Sequence, residues 1–344
     1  MKIAIVSSAV PFVSGGARNI VDWLALKLRE AGHRTEVVYL PFSDDPARLI
    51  DQHAAYRWVD LSAADRIICL RPPAHLVPHP NKVVWFIHHI RYYYDLWDTP
   101  YRGFPDDATH RDLRDVLRLL DTTALGEARR VYTNSATVQQ RVSRFNGLDA
   151  DVLYPPVLEP ERFHCADYGD EILYVSRLEH HKRQHLAIQA MRHTRTPVRL
   201  RIAGAGQNPA YVDELHAIVD RYGLADRVTI DVGWLDEDRK VELLSTALAT
   251  AYIPFDEDSY GYPSLESAHS RKAIVTTSDS GGVTELVDDE RNGFVTEPTG
   301  AALAVAFDRL YSDRALARRL GEAAEARLGE LGISWANVID RLLA

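Results

Sequence analysis

A two-domain α/β protein is what three features of this 344-residue chain predict, each half a doubly wound, Rossmann-like parallel sheet facing the other across a cleft. The length exceeds what one hydrophobic core usually serves. Apolar strand-like runs alternate with helical segments in both halves, the pattern of a parallel sheet covered on two faces. The alternation stops at Pro155 and Pro156 and then restarts, which marks a linker. The expected domains are 1–156 and 157–332, with the short apolar helix of 333–344 crossing back to the first.

In the first half, 2–7 reads as a buried strand. A loop with Gly15 and Gly16 follows, and then Ile20, Val21, Leu24, Ala25 and Leu28 form one helical face, with Gly32 where a C-terminal cap belongs. Strands are expected at 35–40, 66–70, 82–87, 130–133 and 151–153, and helices at 111–120 and 136–145. The second half repeats the scheme. Strands at 171–175, 198–203, 228–232, 248–253 and 273–276 alternate with helices at 182–191 and 211–222, and a further helix opens at Gly261 and Pro263.

Composition narrows the function classes. A net charge of -9 argues against a nucleic-acid partner, whose phosphates call for a basic surface. Two cysteines, Cys69 and Cys165, make neither a disulfide framework nor a cysteine metal site, so a reducing, cytoplasmic setting is expected. No apolar stretch approaches the roughly 20 residues of a membrane span. Arg129, Arg130, Arg141 and Arg144 form either a solvated face or a weak surface for peripheral contact with the inner face of a membrane.

The residues with chemical content gather at strand ends. In 251–270, AYIPFDEDSYGYPSLESAHS, Asp258 and Glu266 flank a helix start whose free N–H groups favour an anion such as a diphosphate. Arg177 and Lys182 bracket the first strand-to-helix turn of the second half and suit the same anion, or are simply solvated. The turns at Gly204-Ala205-Gly206 and Gly233-Trp234 offer backbone groups to a nucleobase, or are ordinary turns. Together these point to a nucleotide-sugar site, with Asp258 toward the sugar, Glu266 toward the ribose hydroxyls and Asp256 solvated. Asp256-Glu257-Asp258 spells the DxD of a different, metal-dependent glycosyltransferase fold, but the two-domain pattern argues against it and no metal set is expected.

In the first half His88 and His89 end a strand, where open α/β sheets place ligands. The run Tyr92, Tyr93, Tyr94 and Trp97 cannot share one helical face, so part of it is expected exposed or lining a cleft. Gly15 and Gly16 form no GxGxxG fingerprint; they serve a tight turn or a close backbone approach to substrate.

VSRL with Lys182, the GxG and GW turns, DSYGYPSLESA, SGGVTELV and NGFV resemble, over nearly the whole chain, the retaining family-four glycosyltransferases (glycosyl transferases group 1) of the GT-B fold. The resemblance implies that Arg177 and Lys182 bind the diphosphate, Glu266 the ribose, and Tyr260, Gly261 and Tyr262 lie beside the phosphates. It implies that His88, rather than His89, lies near the donor sugar and that Gly16 lets the diphosphate approach. Gly15, Gly206 and Trp234 complete the expected binding set. Asp258 departs from the family's glutamate-seven-glutamate motif and is one methylene shorter.

The implied activity is sugar transfer with retention from a UDP- or GDP-sugar, without cofactor, to a glycan, lipid-linked or small-molecule acceptor in bacterial-type polysaccharide or glycoconjugate synthesis. Acceptor choice is expected around Gly15 and Tyr92 to Trp97. The alternatives are a GT-B epimerase or phosphorylase, and a non-catalytic nucleotide-sugar binding module.

Overall fold

The computed structural model describes residues 1–10 and 15–344, so positions 11–14 of the expected glycine loop lie outside the described residues. The chain divides into two units, Met1–Pro155 with Ile333–Ala344, and Pro156–Gly332.

Unit one runs β1 (Lys2–Ala9), α1 (Gly16–Glu30), β2 (Arg34–Pro41), α2 (Leu49–Tyr56), β3 (Arg66–Cys69), β4 (Lys82–Phe86), α3 (Ala108–Gly126), β5 (Arg130–Thr133), α4 (Ala136–Asn146) and β6 (Asp151–Val152). The strands form one parallel sheet in the order β2-β1-β3-β4-β5-β6. β3 and β4 are buried throughout, as a sheet covered on both faces requires. The α1 face lies in the core as its spacing predicts. Gly32 stands at φ +85° just past the helix, a conformation that glycine adopts without a Cβ penalty.

Unit two runs β7 (Glu171–Val175), α5 (Gln184–Met191), β8 (Arg199–Gly204), α6 (Pro209–Arg221), β9 (Val228–Val232), α7 (Glu237–Thr246), β10 (Ala249–Ala251), α8 (Tyr262–His269), β11 (Ile274–Thr277), α9 (Val283–Leu286), β12 (Gly293–Thr296), α10 (Gly300–Ser312) and α11 (Arg314–Glu330). Its sheet is also parallel, in the order β12-β11-β10-β7-β8-β9. The chain leaves β7 toward one edge and returns to its other side as β10. That reversal opens a crevice at the carboxyl ends of β7 and β10, where such sheets take ligands.

The closing helix α12 (Trp335–Leu343) packs Val338 and Leu342 into the core of unit one. There Tyr132 donates to the Arg341 carbonyl at 2.9 Å and Arg66 to that of Leu342 at 2.7 Å. No helix among the described residues is long and apolar enough to cross a membrane.

The aromatic run differs from expectation. Tyr93, Tyr94 and Trp97 are buried and only Tyr92 is half-buried. They do not form an α-helix. Short turns wrap them around Phe104, which stacks on Tyr93 with centroids 4.8 Å apart. Beneath them Tyr94 donates to the buried Asp121 at 2.5 Å, and His75 Nε2 meets the other carboxylate oxygen at 2.9 Å.

His89 belongs to the same core, with Nε2 donating to Asn146 Oδ1 at 2.8 Å. Burial pushes its imidazole down from 6.5 to about 4. As pH falls below 6.5 the unfolded chain takes up the proton first, so stability is full above that value and is lost toward pH 4, by about 3 kcal/mol in all. Urea midpoints should therefore drop between about pH 7.5 and pH 5, and drop less in a His89→Gln variant, which keeps a donor for Asn146. Equal drops in the two proteins would contradict this assignment.

Candidate functional site

In unit two the loop leaving β7 is held from both sides. On one side Ser176 N donates to Ala203 O at 3.1 Å and Leu178 N to Ala205 O at 2.8 Å. Gly204, at φ +157°, is pressed so close that a Cβ would lie 1.8 Å from Ser176 O. Gly233 N donates to Gly204 O at 3.0 Å, so the expected Gly204–Gly206 and Gly233–Trp234 turns stand side by side at the ends of β8 and β9. Gly206 has a packing reason of its own, because a Cβ there would meet Val212 Cγ2 at 2.6 Å. Trp234 is 80% exposed.

On the other side the β7 loop is stitched to the loop after β10. Phe255 N donates to His181 O at 2.8 Å. Arg183, at φ +58°, spreads its guanidinium over the carbonyls of Ile253 and Pro254, the hydroxyl of Thr277 and both oxygens of Asp279, each at 2.8 Å. A planar fork of five donors can bridge that many acceptors at once.

This clamp fixes Lys182, which precedes α5 in a short 3-10 turn instead of opening the helix. Lys182 is buried and not a solvated cation. Its Nζ donates to Tyr252 Oη at 3.0 Å and is ion-paired with Glu257, and Tyr252 Oη in turn donates to Glu257 at 3.2 Å. Tyr174 donates to the Lys182 carbonyl and takes a bond from Ile253 N at 3.2 Å. Arg177 lies exposed just past the end of β7.

The acidic loop is shaped from below by the SGG turn. Asp256 N donates to Asp279 O at 2.9 Å, Glu257 N to Ser280 O at 3.2 Å, and Gly282 N to Glu257 O at 2.8 Å. A Cβ on Gly281 would meet Glu257 O at 2.4 Å, and one on Gly282 would meet Ser259 Cα at 2.5 Å. Asp256, expected solvated, is half-buried at φ +44°, because its backbone is tied into this turn. Asp258 is half-buried beside it and Tyr260 is buried.

Helix α8 opens at Gly261, at φ +70°, with Pro263 in its first turn. No side chain caps it. Ser264 N donates to Gly261 O at 3.2 Å and Pro263 carries no N–H, so the positive end of the helix dipole is what this start offers an anion. Glu266 lies buried further along the same helix and receives Lys240 Nζ at 2.6 Å. Burial pushes Glu266 up to about 7, against the lowering pull of Lys240. Tyr262 is half-buried at the helix start.

In unit one Gly15 precedes α1 and Gly16 is its first residue; Gly15 O accepts from Arg18 N at 2.9 Å and Asn19 N at 3.0 Å. Gly15 is exposed, and a Cβ there would meet nothing within 4 Å. Half-buried His88 has Nδ1 at 2.6 Å from the His89 carbonyl, whereas His89 is the core residue described above.

The structure thus brings Arg177, Lys182, Gly206, Trp234, Asp258, Tyr260, Gly261, Tyr262 and Glu266 to the carboxyl end of the unit-two sheet, and His88, Gly15 and Gly16 to that of unit one. Four partners were not singled out in the sequence: Glu257, Tyr252, Arg183 and Lys240. Only Arg183 carried a local signal, its adjacency to Lys182. Among the described residues no group of three or more His, Cys, Asp or Glu side chains is placed to hold a metal ion.

Residues 166–327 match the family model for Glycosyl transferases group 1, so the resemblance read from the motifs is borne out. The chain is 28% identical over 211 residues to the alpha-maltose-1-phosphate synthase of Mycolicibacterium smegmatis, covering 58% of this chain and 54% of that protein. It is 36% identical over 165 residues to the glycogen synthase of Mycobacterium tuberculosis, covering 46% and 38%. It therefore spans about half or less of the length of these curated relatives. Among solved structures, Anabaena HepE in complex with UDP superposes with a TM-score of 0.77 at 18% identity, covering 100% of this chain and 99% of that one. Sucrose-phosphate synthase from Thermosynechococcus elongatus gives 0.79 at 18% identity, covering 98% and 97%. The two-sheet α/β architecture is the GT-B fold.

Proposed function

We propose that this chain, a GT-B protein whose residues 166–327 form a glycosyl transferases group 1 domain, moves a sugar from a nucleoside diphosphate to an acceptor hydroxyl with its anomeric configuration kept. The observation that carries the reading is the clamp at the ends of β7 and β10, which sets Lys182 beside an acidic loop and an uncapped helix start. A diphosphate leaving group gains negative charge as the glycosidic bond breaks. Fixed donors aimed at it stabilise that state more than the bound donor. Lys182, held in the clamp, fills this role, with the Arg177 guanidinium and the positive end of the α8 dipole beside it. Asp258 holds the sugar and Glu266 accepts from the ribose. For His88 and Gly16 the roles implied by the resemblance stand as part of the proposal.

No nucleophile is assigned. The step is a same-face displacement in which the departing phosphate oxygen takes the acceptor proton. It uses no metal, and its hexosyl product enters glycan or polysaccharide synthesis on the cytoplasmic side, with at most peripheral membrane contact. HepE was solved with UDP, which makes uridine the first base to try.

A thermal-shift panel of UDP, GDP, ADP and dTDP with their sugars tests the reading. A ligand bound only by the folded state at a hundred times its Kd contributes about 2.7 kcal/mol, a shift of several degrees. At least one ribonucleotide pair should give it. A flat response across the panel would sink the nucleotide-sugar assignment.

A further inference from the structure

Glu266 is a buried acid asked to be a base. Its side chain is 8% exposed, on a helix that packs against β10, β11 and α11. Burial alone favours the neutral acid, which would offer a proton where a sugar diol also offers protons. The opposing charge comes from α7. Lys240, itself 12% exposed, reaches Glu266 Oε1 at 2.6 Å and Glu237 at 2.8 Å. Burial pulls the Lys240 ammonium down, but the two carboxylates hold it above its ordinary value, so it remains charged. The other titratable groups facing Glu266 are Glu237, which opposes ionisation, and Tyr262 one turn earlier, which burial keeps neutral. Glu325 from α11 and Glu161 act on His269 at the far end of the helix.

A carboxylate accepts from two hydroxyls at once, whereas a carboxylic acid accepts less well and must place its own proton. Above about pH 7, with Lys240 on Oε1, Glu266 is mainly the carboxylate, which is matched to a vicinal diol. We infer that Lys240 is the positioning residue that makes the site selective for ribonucleoside diphosphate sugars over 2′-deoxyribonucleoside ones, by holding Glu266 as an oriented carboxylate toward the ribose. The inference rests on the proposed nucleotide-sugar reading and on Glu266 meeting the ribose. It goes further in naming the donor class and a residue that touches no substrate.

Calorimetric binding of UDP, 2′-deoxy-UDP, GDP and 2′-deoxy-GDP to wild type, Lys240→Met and Lys240→Arg provides the test. Wild type should prefer the ribonucleotide roughly 10- to 100-fold, the range for a lost hydrogen bond to a charged group. Lys240→Met should reduce the preference to within about threefold near pH 7.5 and regain it as pH rises toward 9, because only ionisation of Glu266 is missing. Lys240→Arg should keep it. A merely structural role for Lys240 would weaken both nucleotides equally. That result, or full discrimination by Lys240→Met at pH 7.5, overturns the proposal while leaving the donor reading intact. If neither ribonucleotide binds folded wild type, the nucleotide-sugar reading falls and takes the proposal with it.

Discussion

Replacing Lys182 by alanine is expected to lower kcat/KM for sugar transfer by about 10²- to 10³-fold, the usual loss when one oriented donor to a developing oxyanion is removed. The size follows from how the amine is held. A surface lysine spends entropy each time it orders around a phosphate, but Lys182 is already ordered. Its carbonyl takes the Tyr174 hydroxyl, and its amine is shared between Tyr252 and Glu257. Little reorganisation is left for the moment of bond breaking. The same burial makes the substitution costly to the fold, because Tyr252 and Glu257 lose their cation. Glu257 is one-fifth exposed and can draw on water, so about 1–3 kcal/mol of stability should go, and not the larger cost of a stranded buried charge. Melting curves read beside kinetics separate the two effects: a folded Lys182→Ala protein with activity within threefold of wild type would refute the role.

The two parallel sheets and the break between them were legible because they follow from local rules. Strands such as β3 and β4 are apolar along their whole length, and two prolines interrupt the pattern where the units part. The placement of the candidate residues was legible in outline for the same reason, since Arg177 comes just after β7 and the α8 start is marked by Gly261 and Pro263. The rest depended on long-range pairing. Lys182 meets Glu257 across 75 residues and Lys240 meets Glu266 across 26, and no spacing rule links such positions. Strand β10 is only Ala249–Ala251 where six residues were expected, because Tyr252 onward turns away to form the clamp. The aromatic run misled for a related reason. A helical wheel asks which residues share a face, but these side chains enter the core from consecutive turns.

Gly261→Ala should do damage out of proportion to one methyl group. The residue sits at φ +70°, and a Cβ there would lie 2.5 Å from Cε1 of Tyr252 and 2.9 Å from its hydroxyl. The ring cannot yield, because it is buried, meets Tyr174 edge-on at 6.3 Å and holds both Lys182 and Glu257 through its oxygen. If the backbone moves instead, the start of α8 turns and its dipole no longer points at the proposed diphosphate site. Strain at positive φ and overpacking together should cost about 2–4 kcal/mol. Misplacing Lys182 and the helix start at once should cost transfer on the order of 10²-fold. Gly223→Ala is the matched control. Gly223 lies in the same unit at φ +61° with nothing within 4 Å of a Cβ, so it carries the backbone strain without the collision. That variant should lose about 1 kcal/mol and no activity. If the two substitutions cost the same in stability and activity, the contact between Gly261 and Tyr252 has no part in shaping the site. If only Gly261→Ala loses transfer while remaining folded, the tyrosine is the strut on which both Lys182 and the helix start depend.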